Sequence, residues 1–288
     1  MRVATAGLLL VVLACLLAPL YASRVAGVDP FRSNVQGTTL RAGYPQAVLA
    51  QNTAGLGLGA TPIGPGWSRA YLLGADGQGR DVAARLLYGG RLSLFIAAGA
   101  TSVTLLLACL VGVAAGALGG VVDAVLRWLL DMLWAFPVFL LAISLSAVLA
   151  ASDAGNPLLT IAILGAVYIP YVARPVRAQV LTLLEAEFVQ AAVSLGGGPL
   201  HILRRHILPH VGRTLLLFAP TVMAFALLTE ASLSVLGVGV QPPDASWGTL
   251  IADGQGLIYS RPVVAVAPGL AVVVTVLLLN RLADGLRR

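Results

Sequence analysis

Six long stretches of this 288-residue chain are too apolar for the surface of a soluble protein, and no other feature restricts its fold so tightly. They lie near Val3–Tyr21, Leu92–Leu118, Leu126–Ala150, Pro157–Val172, Leu215–Val240 and Val263–Leu279. Each is close to the roughly 20 residues with which an α-helix crosses a bilayer. The fourth has Pro170 and Pro175 crowding its end, yet its polar flanks, SDAGN before and ARPVRAQ after, delimit it. Charged residues make up only 10% of the chain and the mean hydropathy is +0.92, whereas a soluble domain carries about 25% charged residues. The expected fold is therefore all-α, a polytopic membrane protein with six transmembrane helices.

The charges then report orientation. All eighteen basic residues are arginine, which excludes a Walker A lysine, a Schiff-base lysine and a lysine general base. The net charge of +6 is scattered among apolar segments and forms no basic run with interleaved aromatics, so it does not point to nucleic acid. The links near 119–125 and 174–214 and the tail 281–288 contain or adjoin Arg127, Arg174, Arg177, Arg204, Arg205, Arg213, Arg281, Arg287 and Arg288. The alternate links, 151–156 and 241–260, hold no arginine. The positive-inside bias therefore places both termini in the cytoplasm and the long segment 22–91 outside. Met1-Arg2 followed by an apolar run also fits a signal peptide, but that run continues past Cys15 through LLAPLY, as an uncut anchor would. Cys15 and Cys109 sit in apolar stretches as small hydrophobes and say nothing about redox compartment.

One cytoplasmic stretch interrupts this pattern: EFVQAAVSLGGGPLHILRRHILP, Glu187 to Pro209. Read as a helix, Phe188, Ala191, Ala192 and Leu195 form one apolar stripe, with Glu187, Gln190 and Ser194 facing away. Gly196 to Gly198 supply a stop, and Pro199 opens a second short helix lined by Leu200, Leu203 and Ile207. Pro209 is expected to end it. By pattern alone this element fits an interfacial helix among lipid headgroups.

Residue identity adds a second reading. Ala191-Ala192, Gly196 four residues on and Leu208-Pro209 twelve after that resemble the EAA signature of permease subunits in binding-protein-dependent ABC importers. Gln190 stands where that signature has glutamate and His206 where it has a late isoleucine, as in the dipeptide, oligopeptide and nickel branch. LLGADGQGRDVAARLLYGGRLSL (Leu72–Leu94), VDAVLRWLLDMLWAFPVFLLAI (Val122–Ile143) and TEASLSVLGVGVQPPDASWGTLIADG (Thr229–Gly254) resemble the same branch, and the C-terminal APGLAVVVTVLLLNRLADGLRR is a looser match. The resemblance covers about Leu72 to Arg288 and is weaker over Ala22–Tyr71.

The resemblance implies a type I ABC importer permease fold and the C-type subunit of a bacterial inner-membrane complex. Such a subunit forms half of a translocation path with a second permease, a heterodimer by the same resemblance, and carries no cofactor of its own. Two cytoplasmic ATPases hold ATP and Mg, and an extracytoplasmic solute-binding protein delivers a peptide or similar small solute; nickel chelates are the alternative cargo. The implied division is a first transmembrane helix (1–21), an extracytoplasmic segment (22–91) and a permease core (92–288) whose loop 185–209 docks on the ATPases. Glu187, Phe188, Gln190, Ala191, Ala192, Leu195, Gly196, Arg204, Arg205, His206 and Pro209 are its coupling residues. The two arginines and His206 suit either acidic ATPase surface or lipid phosphate. An ATP-independent channel would give this loop no reason to exist.

Other polar features carry paired readings. Glu230, inside the fifth span, is a functional group by default or a structural one that bridges backbone opened near the glycines of SVLGVGV. Asp123, Arg127 and Asp131 are spaced to pair along one helical face. Gly74–Arg91 reads as a glycine-rich turn and a short amphipathic helix; with Pro242–Leu250 it offers Arg80, Asp81 and Trp247 either to the binding protein or to the neighbouring permease. Gly112, Ala114, Ala115, Gly116 and Gly119 favour close helix packing. His201, His206 and His210 lack the cysteine or carboxylates that would complete a metal set, and neither a Ser-His-Asp constellation nor an HExxH motif is present.

Overall fold

A computed structural model describes residues 2–41, 44–51, 59–66, 69–153 and 155–287. Arg288, expected on the cytoplasmic side, and 52–58 of the segment 22–91 lie outside the described residues. Among the described residues, three helices are each long and apolar enough to cross a bilayer unbroken, and three bent pairs bring the number to six if each pair is one crossing.

The first pair is α1 (Arg2–Leu16) with α2 (Ala18–Leu20), which continues as a π-helical turn, Tyr21–Ala26, at 46° to α1. Pro19 in the first turn of α2 has no N–H to donate backwards, which accounts for the bend. Two antiparallel hairpins follow, β1 (Thr38–Arg41) on β2 (Tyr44–Ala47) and β3 (Leu49–Gln51) on β4 (Ala60–Pro62), with Thr38 opposite Ala47 and Leu49 opposite Pro62. Val48, Ile63, Tyr71 and Ala75 form a small core beneath them, and Arg261 Nε donates to the Pro62 carbonyl at 2.7 Å, tying this segment to the start of the last crossing.

α3 (Val82–Leu118) is 37 residues long, about 55 Å at helical rise, so it outruns the bilayer core. The short amphipathic helix expected before Arg91 is thus the first three turns of α3, capped by Asp81, whose carboxylate accepts from Ala84 N. α4 (Gly120–Trp134) and α5 (Val138–Asp153) were expected as one span, yet they meet at 87°. Pro137 explains the break, since it disfavours helical backbone at Phe136 and donates no hydrogen bond. α6 (Pro157–Val167) and α7 (Ile169–Leu184) bend by 43° at Tyr168 before Pro170, and α7 runs well beyond Val172, so Arg174 and Arg177 lie on a helix, not in a link.

α8 (Glu187–Ser194) and α9 (Pro199–Ile202) come next. A π-helical turn, Leu203–Ile207, then carries α9 directly into α10 (Leu208–Val235). Pro209 therefore does not end a helix: it sits in the first turn of α10, directly after the π-helical turn. Together Pro199–Val235 form a 37-residue crossing. α11 (Trp247–Gln255) is started by a Ser246–Thr249 capping box, and α12 (Val263–Arg287) completes the chain.

α3 is the central post, packed against α6, α7 and α10. Two of its glycines make this possible: a Cβ on Gly112 would lie 2.7 Å from Val176, and one on Gly116 would lie 2.7 Å from Val180. Gly119 serves differently from the packing role expected of it. With Gly120 it turns the corner into α4 at φ +62 and +53, and a Cβ there would meet nothing within 4 Å.

Candidate functional site

The stretch Glu187–Pro209 is held to the bundle at few points. Val189, 1% exposed, inserts into the cluster formed by Val176, Val180, Ile202, Ile207 and Val211. Beside that anchor the expected stripe is partly open: Phe188 is 44% and Leu195 89% exposed, Ala191 is exposed and Ala192, one turn from Val189, is half-buried. Gln190 Nε2 donates to the Glu185 carbonyl at 3.1 Å, which pins the entry to α8. At its exit Gly196 takes φ +87 and Gly197 N donates to the Ala192 carbonyl at 2.9 Å, closing a helix stop that only glycine adopts without strain. Sequence reasoning singled out Gly196, whereas Gly197 is the sterically critical one: its Cβ would lie 2.7 Å from Ala192 O.

The second half of the stretch braces the first. The Phe188 ring stacks on His210 at 5.6 Å and lies 6.0 Å from His206. His210 Nδ1 is 2.8 Å from the His206 carbonyl, and Gln179 Nε2 of α7 donates to the His210 carbonyl at 3.4 Å. Arg204 and Arg205 are exposed and line an open cavity of about 630 Å³ with Leu200, His201 and Pro209; among the described residues no ion pair engages either arginine. No group of three His, Cys, Asp or Glu side chains among the described residues is arranged to hold a metal ion.

Helix α10 carries this braced element to Glu230, which is fully buried. Ser93 Oγ of α3 and Ser234 Oγ each donate to its carboxylate at 2.9 Å. Ser93 in turn accepts from Trp247 N at 3.0 Å, and Ser234 from Val240 N at 3.2 Å. Glu230 thus faces protein and holds the loop after α10 through two serine relays; it touches neither backbone group itself.

The three residues considered for docking on the other face are spent inside the chain, which corrects the expectation that they offer surface. Arg80 pairs with Asp76 at 2.7 Å and Asp253 at 3.0 Å, and Arg85 joins Asp253 at 3.2 Å. Asp81 accepts from Ala84 N and Tyr71 N, and its burial pushes the carboxyl above the ordinary range against those two bonds. Trp247 is 2% exposed, its indole N–H donating to the Leu86 carbonyl.

The row Asp123, Arg127, Asp131 is only partly a row. Arg127 approaches Asp123 at 3.3 Å, but Arg177 of α7 grips both Asp123 oxygens, Nη2 to Oδ2 at 2.7 Å. Asp131 turns to Arg174, also on α7, at 2.8 Å. The Arg174 guanidinium lies 5.4 Å from the Trp134 ring, which begins an aromatic ladder: Trp134 to Tyr171 at 6.5 Å, Tyr171 to Phe218 at 5.6 Å and Tyr171 to Phe225 at 5.4 Å. Spacing within one helix could not disclose these partners.

Comparison with known proteins places this architecture. The family described as binding-protein-dependent transport system inner membrane component matches residues 108–288. A protein of Brucella suis biovar 1 named as a peptide transport system permease is 40% identical over 218 residues, 75% of this chain and 72% of that protein. The glutathione transport system permease protein GsiD of Pectobacterium atrosepticum is 36% identical, covering 78% of this chain and 73% of its own, and the dipeptide transport system permease protein DppC of Alkalihalophilus pseudofirmus is 36% identical, covering 77% and 72%. Among solved structures, a chain of the MetNI methionine ABC transporter in an inward-facing conformation superposes with a TM-score of 0.55 at 19% identity, over 70% of this chain and 94% of that one. At that identity the likeness concerns the fold.

Proposed function

The chain belongs to the family of binding-protein-dependent transport system inner membrane components, and from that premise we propose that it forms half of a path for peptides or similar small solutes, driven through Glu187–Pro209. As a permease subunit of an ABC importer it is a multi-pass inner-membrane protein that works with an ATPase and a binding protein. The finer reading is that its partners are a second, different permease chain and two ATPase subunits, and that this chain catalyses no reaction itself. Peptide-like cargo is supported by the relatives' names; those names lend nickel chelates no support.

One observation carries the coupling role: α8 leaves Ala191 and Leu195 exposed, with Phe188 partly exposed beside its histidine contacts and Ala192 half-buried, while Val189 fixes the helix to the bundle. A helix-in-groove contact needs such a face, small at its centre and stiff behind. The continuous crossing Pro199–Val235 supplies a lever from there to Glu230. Arg204, Arg205 and His206 flank the face as candidate contacts to acidic ATPase surface.

This reading puts both termini, the α3–α4 corner and α8 in the cytoplasm, with 1–21 as the first crossing, 22–91 outside and 92–288 as the permease core. The arginine bias sets the side, and that both ends share one face is supported by the packing of Gly7 of α1 against Leu278 near the end of α12, while Gly90 near the start of α3 packs against Cys15 and Trp247. The test is Ala192→Asp in the co-expressed complex. The variant chain should still insert, with ATPase copurification and solute-stimulated ATP turnover lost; wild-type turnover would overturn the coupling role.

A further inference from the structure

The ion pair Asp131–Arg174 is unlike the others. Its side chains are 70% and 41% exposed, on helices whose other outward residues are mostly apolar. Its level in the bundle is known from packing: the Ala173 carbonyl lies 2.8 Å from where a Cβ on Gly112 would sit, and Gly112 precedes the α3 end at Leu118 by about 9 Å of helical rise. That places the pair toward the end of the bundle where α3 meets α4, and an ionised pair set among apolar side chains there faces protein or water in preference to lipid tails. Beside the pair the backbone breaks at Ala135–Pro137, with Trp134 40% and Phe136 55% exposed. Non-helical backbone at membrane depth is tolerated where it is covered by protein or lines a water-filled cavity. Trp134, Ala135, Phe136 and Pro137 are all exposed at this break, so the described residues of this chain leave it open.

We propose that Asp131, Arg174, Trp134, Tyr171, Phe218 and Phe225 line the route of the solute, and that the ion pair opens to receive the carboxylate and ammonium ends of a peptide. This inference rests on the peptide-permease reading. The chemistry matches such a cargo. A peptide brings two opposite charges and variable side chains; the ladder offers aromatic faces that tolerate variety and attract an ammonium. The pair is exchangeable because it is a single exposed contact, a kind that contributes little stability in water. Arg177 and Asp123 make the contrast: two-point contact and exposures of 23% and 13% suit a fixed strut between α4 and α7. Arg174, already shared between Asp131 and the Trp134 ring, can keep the ring while its carboxylate partner changes.

Two measurements on the complete complex in proteoliposomes decide it, with Cys15 and Cys109 replaced. Phe225→Cys should react with a charged, membrane-impermeant methanethiosulfonate supplied on both faces, and more slowly when peptide-loaded binding protein and a non-hydrolysable ATP analogue are present. Absence of labelling would assign this face to lipid or to the second permease and overturn the proposal. Arg174→Gln should lower peptide uptake per ATP about tenfold, the scale of one lost hydrogen bond to a charged group, while ATP turnover stimulated by loaded binding protein stays near wild type. An unchanged uptake ratio, or a parallel loss of uptake and turnover, would overturn a solute contact. If the wild-type complex turns over ATP but accumulates no peptide, the peptide reading itself fails, and labelling at position 225 still decides whether the face lines an aqueous route.

Discussion

Replacing Ser93 by alanine removes one hydroxyl and should destabilise the bundle far more than its size suggests. The hydroxyl is fully buried; it donates to Glu230 at 2.9 Å and accepts from Trp247 N at 3.0 Å. Without it, a buried carboxylate oxygen loses a donor and the first N–H of α11 loses its acceptor. Each such orphan costs about 1–3 kcal/mol, more where the group is charged, so Ser93→Ala should lose about 2–5 kcal/mol. Glu230→Gln should lose less, because the amide keeps an acceptor for one serine and presents an N–H₂ that the other can accept. Equilibrium unfolding of the purified chain in mixed micelles measures both, with near-ultraviolet signals from Trp247 reporting release of α11. A Ser93→Ala loss under about 0.5 kcal/mol, the range of an indifferent surface change, or a larger loss for Glu230→Gln, would refute the relay.

Three further expectations follow from local geometry. Gly112→Leu drives a side chain into Val176 and the Ala173 carbonyl and should cost about 1–3 kcal/mol as overpacking, seen as lowered thermal stability in detergent. Gly197→Ala should weaken ATPase copurification because its Cβ meets Ala192 O, whereas Gly198→Ala, at φ −71 and with open space, should leave it intact. Asp123→Asn should reduce thermal stability more than Asp131→Asn, since the first breaks a two-point grip and the second an exposed contact.

Much of this was legible from the apolar stretches alone, because a bilayer leaves a 20-residue apolar segment few alternatives to a helix. Hydropathy says where a helix lies in lipid and little about where it stops in water. That is why α3 begins ten residues before Leu92, at Val82, and α7 extends to Leu184. The hairpins of 38–62 carry no strong alternation and were not foreseen. Charged partners were the hardest part: Asp131 looked served by Arg127 on its own helix, yet its partner Arg174 comes from α7, 43 residues away. Arg80, Asp81 and Trp247 read as superficial because polar residues outside a membrane usually are, but ion pairs with Asp76 and Asp253 draw Arg80 inward, backbone N–H groups of Ala84 and Tyr71 hold Asp81, and Ser93 and Leu86 hold Trp247. The α8 stripe was readable because a docking face is local, four residues on one side of two turns, and Val189 as its anchor emerges only from the tertiary fold.

The central claim is that α8 seats in an ATPase, and Leu195 tests it most directly, being 89% exposed at the tip of the stripe. With Cys15 and Cys109 replaced, Leu195→Cys should react rapidly with a water-soluble maleimide in the permease pair alone, and at least about tenfold more slowly once the ATPases are bound, as expected for a residue taken from solvent into an interface core. Equal reactivity with and without bound ATPases would contradict the account.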